Sequence, residues 1–283
     1  MKTDKRKGPS FKNDRKLAER KRKFYGKGEK RGDRGQGPSS DSLLICGRNS
    51  VTEFLHAGGV RKVFVKEGKK DERLLSILSL AGEKGTSVEE VSEDRLDELA
   101  QGIVHQGIAA LLKPYEYADL DNVLSEWEGK SPILILLDGL EDVRNLGAIV
   151  RTAECAGAAA GVLPEKKNPR RVATPAMKTA AGAFAYLPVC QTGNIRQTLE
   201  SLKDKGFWVV GADMDGEDLY YEANLKGPLV IVMGAEGKGV SPLTKKLCDF
   251  CVRIPMKGRI SSLNVSVAAA LLIYEAARQR SQS

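Results

Sequence analysis

The chain has 283 residues, 41% hydrophobic and 29% charged, a composition that suits a globular protein of one or two domains. Its longest apolar runs, ILILL at 133–137 and VAAALLIY at 267–274, are too short to span a bilayer. The opening MKTDKRKGPS lacks the apolar stretch of a secretory signal, so a cytoplasmic protein without a membrane partner is expected. The formal charge of +8 is uneven: residues 1–40 hold 15 Lys/Arg against 5 Asp/Glu, a net of +10, while the remainder holds 30 against 32. A basic arm of this kind suits a polyanionic partner, because neutralising phosphates releases condensed counterions. A purely solubilising extension is the plainer alternative.

Residues 1–40, rich in Gly, Lys and Arg and without hydrophobic periodicity, are expected to be a disordered tail. A small α/β unit over 41–117 follows. SLLICGRNSVTEFL reads as a strand or loop entering a helix, and VRKVFVKEG as a strand. DERLLSILSLAGEKG reads as a helix ended by glycine, with Leu74, Leu75 and Leu78 on one face. SVEEV, a helix capped by Ser92, and GIAALLKP complete the unit. Residues 118–130 read as a linker holding a short helix.

From 131 to 283 strands and helices alternate. ILILLDGL is a buried strand, NLGAIVRTAECAGA a helix, AAGVLP a strand, and TPAMKTAAGAF a helix with Pro175 in its first turn. NIRQTLESLKDKG is a helix, FWVVGAD, LVIVMGAEG and CVRIPM are strands, and LNVSVAAALLIYEAARQR is a closing helix. This alternation predicts an α/β fold with a parallel sheet and helices on both faces. Tyr25, Tyr115 and Trp127 read as packing or tail aromatics.

Several chemistries find no support. Neither His56 nor His105 lies in a strand-end segment, so a histidine triad is not indicated. Among the five cysteines, Cys248 and Cys251 form a C-x-x-C without a second ligand pair; reduced, partly buried thiols are expected, and no metal. MGAEGKG spaces its glycines differently from the dinucleotide fingerprint, and no phosphate-binding G-x-x-x-x-G-K-[ST] loop occurs. Three glycine-flanked segments instead follow buried strands: DGLEDVRNLGAIVRTA, MGAEGKGVS and IPMKGRISSLNVSVA. Ligands of open α/β sheets bind at such strand ends, where small residues let backbone approach a flat cofactor. Asn145, Arg151, Glu236, Ser262, Asn264 and Ser266 are the polar side chains gathered there.

The order N-x-G-x-x-x-R-T-A, MGAEGKG, IPM-x-G-x-x-SSLNVSVA resembles the SpoU/TrmH branch of the SPOUT methyltransferases over 131–281, most nearly its RlmB type. GRNSVTEFL and VHQGIAA resemble that group's small RNA-binding domain; the long basic tail departs from its shorter members. The resemblance implies a C-terminal trefoil knot, a homodimer, and S-adenosylmethionine as cofactor. It further implies 2′-O-methylation of a ribose, that of a guanosine in large-subunit ribosomal RNA. Gly234, Ile254 and Leu263 would line the cofactor pocket, with Met233, Ala235, Met256 and Asn264 beside them. Arg151 would bind phosphate and orient the 2′-hydroxyl; a guanidinium stays protonated and makes a poor base. Asn145, Ser262 and Asn264 would position hydroxyl, arginine and cofactor, and Glu236 would orient Asn145 or Arg151.

Each residue also has a plainer reading. Asn145 could cap its helix, Arg151 could pair with Glu154 or Asp142, Glu236 could be a surface turn residue, and Ser262 or Asn264 could cap the last helix. Ribose methylation of tRNA, an antibiotic-resistance methylation of rRNA, and a non-catalytic RNA-binding assembly factor are the alternatives at the level of function.

Overall fold

Four strands form the first sheet: β1 (Leu44–Cys46), β2 (Val60–Lys66), β3 (Ser87–Val91) and β4 (Ile108–Leu112), in the order β1-β4-β2-β3. They belong to a computed structural model that describes residues 43–165, 172 and 174–281. The basic segment 1–40, with Tyr25, lies outside the described residues. β4 is antiparallel to β1 and β2, and β2 is parallel to β3. Helices α1 (Arg48–His56) and α2 (Glu72–Glu83) share a core with Val63 and Val65 of β2, while α3 (Glu93–Ala100) packs Leu96 and Leu99 with Leu44, Cys46 and Ala109. Ser92 caps α3 as expected, accepting from Arg95 N at 3.3 Å. The buried face of α2 is Leu74, Ile77 and Ala81; Leu75, expected there, is 54% exposed. Helical geometry explains the correction, since neighbours at i and i+1 lie about 100° apart and cannot both face one sheet.

The second sheet is wholly parallel. Its strands are β5 (Ile133–Asp138), β6 (Ala160–Pro164), β7 (Val189–Thr192), β8 (Trp208–Ala212), β9 (Asp218–Leu219), β10 (Leu229–Gly234) and β11 (Phe250–Arg253), in the order β7-β6-β5-β10-β8-β11-β9. Connecting helices are α4 (Leu120–Glu126), α5 (Val143–Cys155), α6 (Thr174–Ala180), α7 (Ile195–Asp204), α8 (Pro242–Lys245) and α9 (Val265–Ser281). All six residues of β5 are buried, as a strand covered on both faces requires. Ile133, Ile135 and Leu137 share a core with α5 and α9; Leu134 and Leu136 share the other with α4 and α7. The helices therefore cover both faces, as the alternation predicted. β5 and β10 lie side by side, and the chain leaves them in opposite directions, toward β6 and toward β11. This is a topological switch point of the sheet, and a cavity lies on its β10 side.

The 118–130 stretch is built into the large sheet's layer. Ala118 bridges Cys190 of β7, and Val123 and Trp127 pack on the α7 side. Tyr115 is half-buried, edge-on against Tyr117 and Phe184 with ring centroids at 5.3 and 5.7 Å, so it is a packing residue. Tyr186 donates to Glu53 Oε2 at 2.6 Å, joining the loop after α6 to α1. Among the described residues, no helix is long and apolar enough to cross a membrane.

All five cysteines are free. Burial pushes the thiols of Cys46 and Cys190 up to about 11 and that of Cys248 to about 12. Cys155 alone is exposed, an exception to the expected burial. A disulfide-exchange reagent at pH 7–8 is expected to label one thiol fast, with Cys155→Ala removing that phase. Fast labelling that survives the substitution would contradict the described packing.

Candidate active site

A cavity of about 210 Å³ opens at the carboxyl ends of β8, β10 and β11. It is several times the roughly 30 Å³ share of one water, so it takes a small molecule. Ala212–Asp215 after β8, Met233–Gly239 after β10, and Ile254, Met256 and Ser261–Leu263 after β11 line it, together with Val265 and Ala268 of α9. Gly234, Ile254, Leu263, Met233, Ala235, Met256, Glu236 and Ser262 all lie in this lining. Asn264 and Asn145 stand behind Glu236, outside the cavity lining. The Ala212–Asp215 turn was missed. Its signal was present, since FWVVGAD is a strand leading into polar residues at its carboxyl end.

Two glycines shape this region for reasons other than ligand approach. A Cβ on Gly234 would lie 1.9 Å from the carbonyl carbon and oxygen of Gly239. That closeness arises because Ala235 and Gly239 exchange two backbone hydrogen bonds of 3.0 Å, curling the loop back on the strand. A Cβ on Gly147, the glycine of N-x-G, would lie 2.3 Å from the Ala176 carbonyl, so this residue lets α5 and α6 touch. Asp138, buried at the end of β5 and level with Gly234, accepts from Thr244 Oγ1 at 2.5 Å.

The polar residues form a directional chain. Glu236 Oε2 accepts from Glu141 N at 3.3 Å, and Oε1 accepts from Asn145 Nδ2 at 2.7 Å. Asn145 Oδ1 accepts from Asn264 Nδ2 at 3.1 Å, and Asn264 Oδ1 accepts from Ser266 N at 2.9 Å and Oγ at 2.6 Å. A carboxylate only accepts and a backbone N–H only donates, so both amides are locked in one orientation. Asp142, not Asn145, caps α5, accepting from Arg144 N at 2.8 Å. Asn264 does sit at the start of α9, where its carbonyl accepts from Val267 and Ala268, and it serves the chain as well. Glu236 orients Asn145, not Arg151.

Arg151 is exposed on α5 and makes no hydrogen bond or ion pair with the described residues. Asp142 instead pairs with Arg144, whose hydrogen bond holds the Asp142 carboxyl below its usual range, and Glu154 makes no ion pair with Arg151. The structure thus leaves a planar, permanently charged fork open to a ligand.

Residues 132–274 match the SpoU rRNA Methylase family, and residues 44–118 match the RNA 2′-O ribose methyltransferase substrate-binding family. The chain belongs to the SpoU rRNA methylase family. It is an RNA methyltransferase, and S-adenosylmethionine is its cofactor. A Staphylococcus haemolyticus protein assigned to the TrmH family of tRNA/rRNA methyltransferases is 40% identical over 245 residues, covering 86% of this chain and 98% of the relative. A crystallised RNA 2′-O ribose methyltransferase superposes with a TM-score of 0.69 at 29% identity, over 85% of this chain and 89% of its own. The SpoU methyltransferase AviRb from Streptomyces viridochromogenes, solved with AdoMet, shares the fold at TM-score 0.72 and 21% identity, over 86% and 92% of the two chains.

The cavity fits such a methyl donor. Met233, Ile254 and Leu263 offer an apolar wall to a flat ring, and Asp215 and Glu236 put carboxylates near a cationic ligand, against Lys238. Among the described residues no cluster of three or more His, Cys, Asp or Glu could hold a metal ion.

Proposed function

We propose that the chain methylates the 2′-hydroxyl of a ribose, that of a guanosine in large-subunit ribosomal RNA. The observation that carries this reading is the Glu236–Asn145–Asn264 chain, which runs from the cavity wall to the start of α9 while Arg151 on the same helix α5 pairs with none of the described residues. S-adenosylmethionine supplies an electrophilic methyl group when bound. Met233, Gly234, Ala235, Ile254, Met256 and Leu263 hold it, with Asn264 supporting them from behind. Arg151 clamps the phosphate beside the target ribose and orients the hydroxyl, and Ser262 faces the same space. Positioning of the two reacting atoms supplies much of the acceleration. The 44–118 unit selects the RNA, in keeping with its match to a substrate-binding family.

The protein acts as a homodimer. Val267 and Tyr274 on α9 are 48% and 51% exposed and, with Leu271 and Tyr220, leave an apolar surface that a second copy would cover. The relatives named for both tRNA and rRNA make the substrate the quantity to measure. Mapping 2′-O-methyl groups in cellular rRNA and tRNA, with and without the gene, should show loss of one rRNA guanosine modification. Loss confined to tRNA would overturn the rRNA assignment. Deleting residues 1–40 is expected to weaken RNA binding at low salt and to flatten its salt dependence, leaving the methylated nucleotide unchanged. A shifted methylation site would show that this segment takes part in recognition.

A further inference from the structure

We infer that Asp213 is the cofactor-binding carboxylate for the ribose diol of the methyl donor, an assignment that rests on the cofactor reading above. Asp213 follows β8 and lines the cavity, with its side chain 12% exposed. Its turn is rigid: Asp213 N donates to Val252 O at 3.0 Å, and Gly216 N donates to Asp213 O at 3.2 Å. Gly216 packs so closely on β11 that a Cβ would fall 2.6 Å from the carbonyl carbon of Val252.

The two carboxylate oxygens differ. Oδ1 accepts from Lys245 Nζ at 3.0 Å and from Asp215 N at 3.0 Å. Oδ2 makes no hydrogen bond with the described residues, and a Cβ built on Gly239, across the cavity, would lie 3.5 Å from it. Oδ2 is not sealed from solvent, and at the cavity wall it is free to accept from a ligand that donates in place of water.

The pairing with Lys245 selects among the donors. The ammonium cancels the charge of Asp213 locally, so the pair attracts a neutral donor more than a second cation. In S-adenosylmethionine the vicinal hydroxyls are neutral and can present an O–H to one oxygen. The apolar wall of Ile254 and Leu263 is left to the ring. Hydroxyl recognition by an acidic side chain at a strand end recurs in dinucleotide-binding sheets, although the sequence here carries none of their glycine spacing.

The test is calorimetric titration of the full chain with S-adenosylhomocysteine and with its 2′,3′-dideoxy analogue. A hydrogen bond to a charged group leads to an expected loss of about tenfold to a hundredfold in affinity when the hydroxyls are removed. Asp213→Ala should bind the parent that much more weakly and show little further loss with the analogue. Asp213→Asn, which keeps the shape of the turn, should retain only part of the wild-type discrimination. Equal binding of the two ligands by the wild type would overturn the assignment without any variant. Undiminished discrimination in both variants would overturn it too. Failure of the wild type to bind the parent at all would overturn the cofactor reading, and this assignment with it, and is thereby told apart.

Discussion

Arg151→Ala is expected to abolish methyl transfer while leaving cofactor binding and stability almost untouched. The side chain is exposed and pairs with none of the described residues, so its removal should change stability by no more than about 0.5 kcal/mol. It lies outside the cavity lining, so affinity for S-adenosylmethionine should hold within about twofold, less than about 0.5 kcal/mol. The rate should fall about a hundredfold or more, the loss seen when one aligned charged donor leaves a reacting centre. Arg151→Lys should fail nearly as badly, since an ammonium cannot reproduce the planar fork. Single-turnover methylation of RNA, beside a thermal melt and a cofactor titration, separates these outcomes. Near-normal turnover by either variant would move the role elsewhere.

Gly234→Ala is the second large effect. The added methyl would sit 1.9 Å from the Gly239 carbonyl carbon and oxygen and 2.2 Å from Val240 N, all of them backbone. Relief requires opening the Ala235–Gly239 bridge, which shapes the whole 233–239 wall of the cavity. Overpacking of this kind costs about 1–3 kcal/mol or more. Cofactor binding should become undetectable while the remaining fold survives. Gly82→Ala, in α2 with open space around its Cβ, is the control and should stabilise slightly. Retained affinity in Gly234→Ala would mean that the loop adapts and that the close approach is dispensable.

Legibility in the sequence followed length and redundancy of signal. β5 and β10 are continuous apolar runs, and α5, α7 and α9 are long enough to show their ends, so the parallel sheet could be read directly. β7 has four residues, among them Gln191 and Thr192, β9 has two and α8 four, too few for any period to register. Asn145, Glu236 and Asn264 could be named as candidates because each sits inside a recognisable strand-end motif, although Glu236 and Asn264 lie 91 and 119 residues from Asn145 and only the fold pairs them. The site was not legible at Asp213, whose partner Lys245 lies in another connection, after β10. Nor could the sequence say why N-x-G needs its glycine, because Ala176 meets it only once α5 and α6 have docked.

The cavity draws its walls from widely separated stretches, and the last of them, Val265 and Ala268, belongs to the first turn of α9. During synthesis the binding site therefore stays open on one side until α9 has been made. A chain truncated before α9 cannot close the cavity and forgoes the stabilisation that ligand confers by mass action, about 2.7 kcal/mol at a hundredfold excess over Kd. Occupancy by the methyl donor then marks chains that carry α9 off from chains that lack it, and resistance to proteolysis in the presence of ligand would register that difference in a mixed population.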